Sequence, residues 1–193
     1  MIFILAAVLG LVAGLIRAKM KSIQYLPQNM KYVWLILLAF ISQWFVFSLP
    51  VSREQIPNTW VPFILIGSQA ILLLFTWLNR HQTGIWLLGL GLLLNLIVIF
   101  LNKGWMPISP ETLNYLHVPS STWQVWQRHG FSKDMVIPLE STKAWILSDI
   151  VPLNLLDRYK IAFSIGDIFI ASGIFVNLTS IRRIEALSKE CLS

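Results

Sequence analysis

The chain has 193 residues, 56% of them apolar and only 12% charged, with a mean hydropathy of +0.68 and a net charge of +6. A soluble domain carries about 25% charged residues, and no soluble fold of this size can hide so much apolar surface. An ordinary soluble enzyme, a nucleic-acid-binding module and a disordered chain are therefore excluded, and a single cysteine, Cys191, excludes a disulfide scaffold or a structural zinc site.

Five stretches approach the roughly 20 apolar residues that a membrane helix needs. They are about residues 1–16, 32–50, 60–78, 85–101 and 161–178. The runs are continuous rather than alternating, which argues against a barrel. The expected fold is all-α: a single membrane domain over 1–193, a polytopic bundle of five transmembrane helices. An external cap of short interfacial helices (102–160) would lie between the fourth and fifth spans. The first span lacks a positive region before it and a small-residue cleavage site after it, so it reads as a retained anchor rather than a signal peptide.

Lysine and arginine in short loops set the orientation. Arg17, Lys19, Lys21 and Lys31 follow the first span, Arg80 follows the third, and Arg182, Arg183 and Lys189 follow the fifth. Only Arg53 lies between the second and third. The N-terminus is thus expected outside and the C-terminus in the cytoplasm. The basic charge then needs no partner beyond the anionic inner leaflet.

Within the cap, Ser109-Pro110-Glu111 reads as an N-cap, a first-turn proline and an early acid, predicting a short helix to about His117. A second is expected over about 122–129, ended by Gly130. Trp105, Trp123, Trp126 and Trp145 suit the headgroup level.

The polar residues inside the spans form a layer. Counted from the outer end of each span, Asp167, Asn95, Gln43 and Gln69 lie roughly 9, 9, 10 and 14 Å deep, with Ser42, Ser68 and Ser164 beside them. The plain explanation for the amides is interhelical hydrogen bonding, about 0.6 kcal/mol per contact. Asp167 differs, because an ionised carboxylate at helix-centre depth costs about 2.5–3.5 kcal/mol and must be neutralised, paired or hydrated. Asp149, in an apolar part of the cap, could return to the bundle mouth on an interfacial helix or stand exposed in a loop. Gly10 and Gly14 form a GxxxG face for close helix packing. The sequon at Asn177 falls at the cytoplasmic end and is discarded, and Cys191 is a candidate acylation site. His81, His117 and His129 form no metal set, and no phosphate loop or nucleophile elbow is present, so neither a metal nor a cofactor is expected.

Asn102-Lys-Gly104-Trp-Met-Pro107, Trp145 with Asp149-Ile-Val-Pro152, and Ser164-Ile-Gly166-Asp167 with Gly173 resemble, in order and over nearly the whole chain, a bacterial membrane-protein family known as domain of unknown function 5317. That resemblance implies an inner-membrane protein and supplies no activity. Site placement is also remotely similar to lipoprotein signal peptidase, a four-helix aspartic protease. There Asn95 would match an asparagine of the third helix, and Asp149 and Asp167 the two catalytic aspartates. Val98 and Ile99 stand where that family has Asp-Arg, Ser164 replaces the asparagine of its last motif, the cap is longer, and the first span is extra.

Three functions follow. The first is a non-catalytic accessory subunit binding other membrane proteins. The second is an aspartyl hydrolase at the outer face, in which one protonated and one ionised carboxyl activate water. The third is a solute pathway, disfavoured because the polar layer stops halfway. Nucleic acid is not an expected partner.

Overall fold

The computed structural model describes residues 2–48, 57–130, 132–155 and 159–181. Apolar helices dominate: α1 (Ile2–Met20), α2 (Trp34–Ser48), α3 (Val61–Leu78) and α4 (Ile85–Leu101) precede the cap. Within the cap lie β1 (Met106–Ile108), α5 (Pro110–Tyr115), β2 (Asp134–Val136), β3 (Val151–Leu155) and β4 (Tyr159–Phe163), followed by α6 (Ile165–Thr179). Helices α1 and α3 are long and apolar enough to cross a membrane, while α2, α4 and α6 are shorter apolar helices.

The extensive helix contacts run α1–α6–α4–α3–α2, so the bundle is an arc whose two ends are the first two helices of the chain. Small residues allow the closest approaches. Gly10 and Gly14 of α1 meet α6, where a Cβ on Gly10 would lie 3.0 Å from Phe175 Cα and one on Gly14 would lie 2.5 Å from the Leu178 carbonyl oxygen. The GxxxG face is therefore used inside the chain. Gly91 of α4 faces the start of α6, and a Cβ there would stand 2.7 Å from Ile170 N. Buried side chains gather in small clusters rather than one core: Leu65, Val98, Ile99 and Met106 join bundle to cap, and Leu35, Phe75 and Ile85 close the opposite end.

The cap departs from the all-α expectation. Strands β1 and β2 pair in parallel, Met106 opposite Asp134 and Ile108 opposite Val136. Strands β3 and β4 form an antiparallel pair with Val151 opposite Phe163. The strands are short and mostly apolar, and periodicity alone does not distinguish such segments from helix. The capped helix predicted at Ser109 forms as α5, with Ser109 Oγ accepting from Thr112 N at 3.1 Å. The helix expected over 122–129 does not form. Ser120–Thr122 is one 3₁₀ turn, Trp126 has φ +66°, and Trp126 N and Gln127 O bond instead to Val136, so pairing with β2 wins over helix. Trp105 is not at a free surface but buried against Val46 and Val61.

The fifth apolar helix starts at Ile165 rather than Ile161, because 159–163 is strand and Ser164 is an N-cap. Helix α1 extends past residue 16 to Met20, carrying Arg17 and Lys19 in its last turn, where the helix dipole favours cations. Pro50, Arg53, Arg182, Arg183, Lys189 and Cys191 lie outside the described residues.

Candidate functional site

The Ser164-x-x-Asp167 spacing makes a reciprocal capping box at the start of α6. Ser164 Oγ accepts from Asp167 N at 3.0 Å, and Asp167 Oδ2 accepts from Ser164 N at 3.2 Å. Asp167 therefore sits in the first turn of its helix, not six residues into it, and the positive helix end stabilises its carboxylate. Asn95 of α4 completes the network. Its Nδ2 donates to Asp167 Oδ1 at 2.9 Å, and its Oδ1 accepts from Ser164 Oγ at 2.8 Å. All three side chains are buried. Gly166 permits this approach, since a Cβ there would collide with Asn95 Oδ1.

Asp149 returns to the bundle, but on a turn rather than an interfacial helix. A 3₁₀ turn over Trp145–Leu147 leads into it, and its N–H donates to the Pro107 carbonyl at 3.1 Å. Only 1% of Asp149 is exposed. Its Oδ2 accepts from Lys133 Nζ at 2.9 Å, and Lys133 also lies 3.6 Å from Asp134 Oδ1. Asp149 Oδ1 is buried with no hydrogen-bond partner. Burial pushes the Asp149 carboxyl well above the usual carboxylate range, with Lys133 pulling the other way and the negative charges of Asp134 and Asp167 adding to the rise. Burial alone would lower the Lys133 ammonium, but the attraction of Asp149, Asp134 and Asp167 outweighs it, and its affinity for a proton is raised.

These shifts set a pH dependence. A raised Asp149 means that the folded state holds a proton where the unfolded chain has lost it, so stability falls as pH rises from the ordinary carboxylate range toward neutrality. The contribution of Lys133 is complete below its ordinary value of 10.5 and lost only above it, so it is level across that window. The thermal midpoint of the detergent-solubilised protein is expected to decline on going from mildly acidic to neutral buffer. In Asp149→Asn the slope should flatten, read by circular dichroism melts across a pH series.

Between the helices of the arc lies a cavity of about 320 Å³ lined largely by apolar side chains, with Gln43, Gln69, Asn95, Lys133 and Asp167 at its wall. Gln43 Nε2 donates to Ser68 Oγ at 2.8 Å. Gln69 is buried, and its Oε1 lacks a partner.

The structure thus brings Asn95, Ser164 and Asp167 into one network and Gln43, Gln69, Asn95 and Asp167 onto one cavity. Asp149 is bound instead to Lys133, and no hydrogen bond joins it to Asp167 among the described residues. Gly10 and Gly14 lie apart, at the α1–α6 contact. Sequence reasoning missed Lys133. It sits in a polar loop stretch, Ser132-Lys133-Asp134, that reads as solvated, and only the fold of the cap turns it inward. The Ser-x-x-Asp spacing before an apolar run is the signal that could have found the capping box, but the span expected from residue 161 holds both residues inside it. Among the described residues no three His, Cys, Asp or Glu side chains converge as a metal site requires.

Among known proteins the chain is similar to an uncharacterized protein of Thermotoga maritima, 26% identical over 175 residues that cover 91% of this chain and 86% of the relative. No solved structure matches. The model of the family of unknown function DUF5317 matches residues 27–179, and the order of Asn102–Pro107, Asp149–Pro152 and Ser164–Asp167 falls within that match: the chain belongs to this family.

Proposed function

We propose that the chain crosses the bacterial plasma membrane five times, N-terminus outside and cap on the outer face, and acts by binding, as a non-catalytic accessory subunit of a membrane complex. Large apolar side chains on the outside of the arc, such as Leu5, Leu37, Phe63, Trp86 and Phe100, support the membrane setting. The three shorter helices rise about 22–26 Å, near the ~30 Å hydrocarbon core, and local thinning accommodates the difference.

One observation carries the non-catalytic reading: each carboxylate already has a structural partner. Asp167 is bound by its capping box and Asn95, and Asp149 by Lys133. An aspartyl dyad needs two carboxyls sharing a proton, and an ammonium at 2.9 Å opposes that sharing. A second reading, the outer-face aspartyl hydrolase, draws on the unpartnered Asp149 Oδ1 and on the electrostatic reach of Asp167 to Asp149.

Affinity purification of the tagged full chain from membranes separates them. Under the binding reading, Asp149→Asn and Asp167→Asn both insert and retain the same co-purifying membrane protein. Under the hydrolase reading, either substitution abolishes cleavage of a lipid-anchored peptide while insertion persists. Reporter fusions at the two ends test the topology.

A further inference from the structure

The cavity inside the arc has polar side chains in its wall. Gln69 is 8% exposed and faces the cavity, and its Oε1 has no hydrogen-bond partner. The other amides there are engaged: Gln43 donates to Ser68, and Asn95 uses both its oxygen and its nitrogen on Ser164 and Asp167. A buried acceptor left empty costs free energy, so this wall favours a ligand that donates. Lys133 lines the same space; one of the three N–H groups of its ammonium is on Asp149 and Asp134 lies 3.6 Å away, so an N–H remains for a ligand that also accepts. A hydroxyl does both.

Charge narrows the class further. Lys133 is already bonded to Asp149 at 2.9 Å and lies 3.6 Å from Asp134, so its charge is answered within the protein and an anionic head gains little there. The rest of the lining is hydrocarbon: Phe3, Ile36, Phe40, Leu72, Leu92 and Ile174. About 320 Å³ is at the low end for small-ligand sites, about 300–1,000 Å³, and suits one chain rather than two. Phe3 belongs to α1 and Ile36 and Phe40 to α2, the two ends of the arc, so the cavity lies where the helix ring is least closed.

We infer that this cavity holds a single-chain neutral lipid with a hydroxyl head, the hydroxyl donating to Gln69 Oε1 and accepting from Lys133 Nζ, the chain lying between α1 and α2. The inference rests on the membrane setting proposed above but not on a protein partner.

The test is equilibrium binding to the full chain in detergent with oleyl alcohol, oleate and 1-octadecene as probes. Oleyl alcohol should bind saturably at one site, and oleate should bind more weakly. Gln69→Leu should weaken oleyl alcohol about fivefold to tenfold, the loss of one buried neutral hydrogen bond, and leave 1-octadecene unchanged. Ile174→Trp, filling the chain's path, should abolish binding of both. A membrane-inserted, cooperatively melting protein that shows no saturable binding overturns the inference. So does oleate binding as tightly as the alcohol, or Gln69→Leu binding the alcohol undiminished. A chain that does not fractionate with membranes sinks the membrane reading itself, a separate outcome.

Discussion

Replacing Lys133 with methionine is expected to destabilise the protein by about 3 kcal/mol, the lower end for breaking a buried ion pair by removing one partner. Asp149 is 1% exposed, and one of its oxygens is already unpartnered, so the substitution leaves an acid with nothing to compensate its charge. Two features hold the cost at that lower end. A third of the Lys133 side chain is exposed, and the stranded carboxyl can take up a proton. The fall in midpoint should therefore be larger at neutral than at mildly acidic pH. Adding Asp149→Asn to Lys133→Met should recover most of the loss, because the charge is removed along with its partner. Thermal melts of the single and double variants at two pH values provide the measurement. Equal midpoints for Lys133→Met and the parent protein would show that the pair does not hold the two parts of the cap together.

Gly166→Ala is expected to cost about 2–3 kcal/mol, as overpacking of a tight contact does. The added methyl collides with Asn95 Oδ1, the atom that accepts from Ser164, and lies 2.7 Å from the Gly91 carbonyl oxygen. Neither neighbour can yield cheaply. One is backbone of α4, and the other is locked between Ser164 and Asp167. The substitution thus forces α4 and α6 apart and breaks the network that seats Asp167. Gly67→Ala is the matched control. It sits within α3 with nothing within 4 Å of the new methyl, and alanine is the better helix former, so no loss is expected. A melt in which both variants match the parent would refute the close α4–α6 contact.

The partner readings of the site depend on these same contacts. If Asp167 is chiefly a capping residue, Asp167→Asn keeps an acceptor for Ser164 N, and Asp167→Ala removes it. The stability gap between the two then measures the cap, and any functional loss common to both measures something more.

Composition and continuous apolar runs were enough to place the helices, since burying or lipid-exposing hydrocarbon is a property of each stretch by itself. The fourth helix starts and ends where its apolar run does, at Ile85 and Leu101, and Ser109-Pro110-Glu111 announced its own short helix. The polar layer was also legible, because an amide or acid in an apolar run stands out wherever it folds. What strings of residues could not express was pairing. Ile161, Ala162 and Phe163 are as apolar as the helix that follows, and only pairing with Leu153, Pro152 and Val151 makes them strand, moving Asp167 from mid-helix to a first turn. Lys133 looked like any loop lysine until the β1–β2 pair carried it to Asp149, 16 positions away in the chain. Local chemistry selects helices; long-range contacts choose which charges meet, and those contacts exist only once the chain has closed on itself.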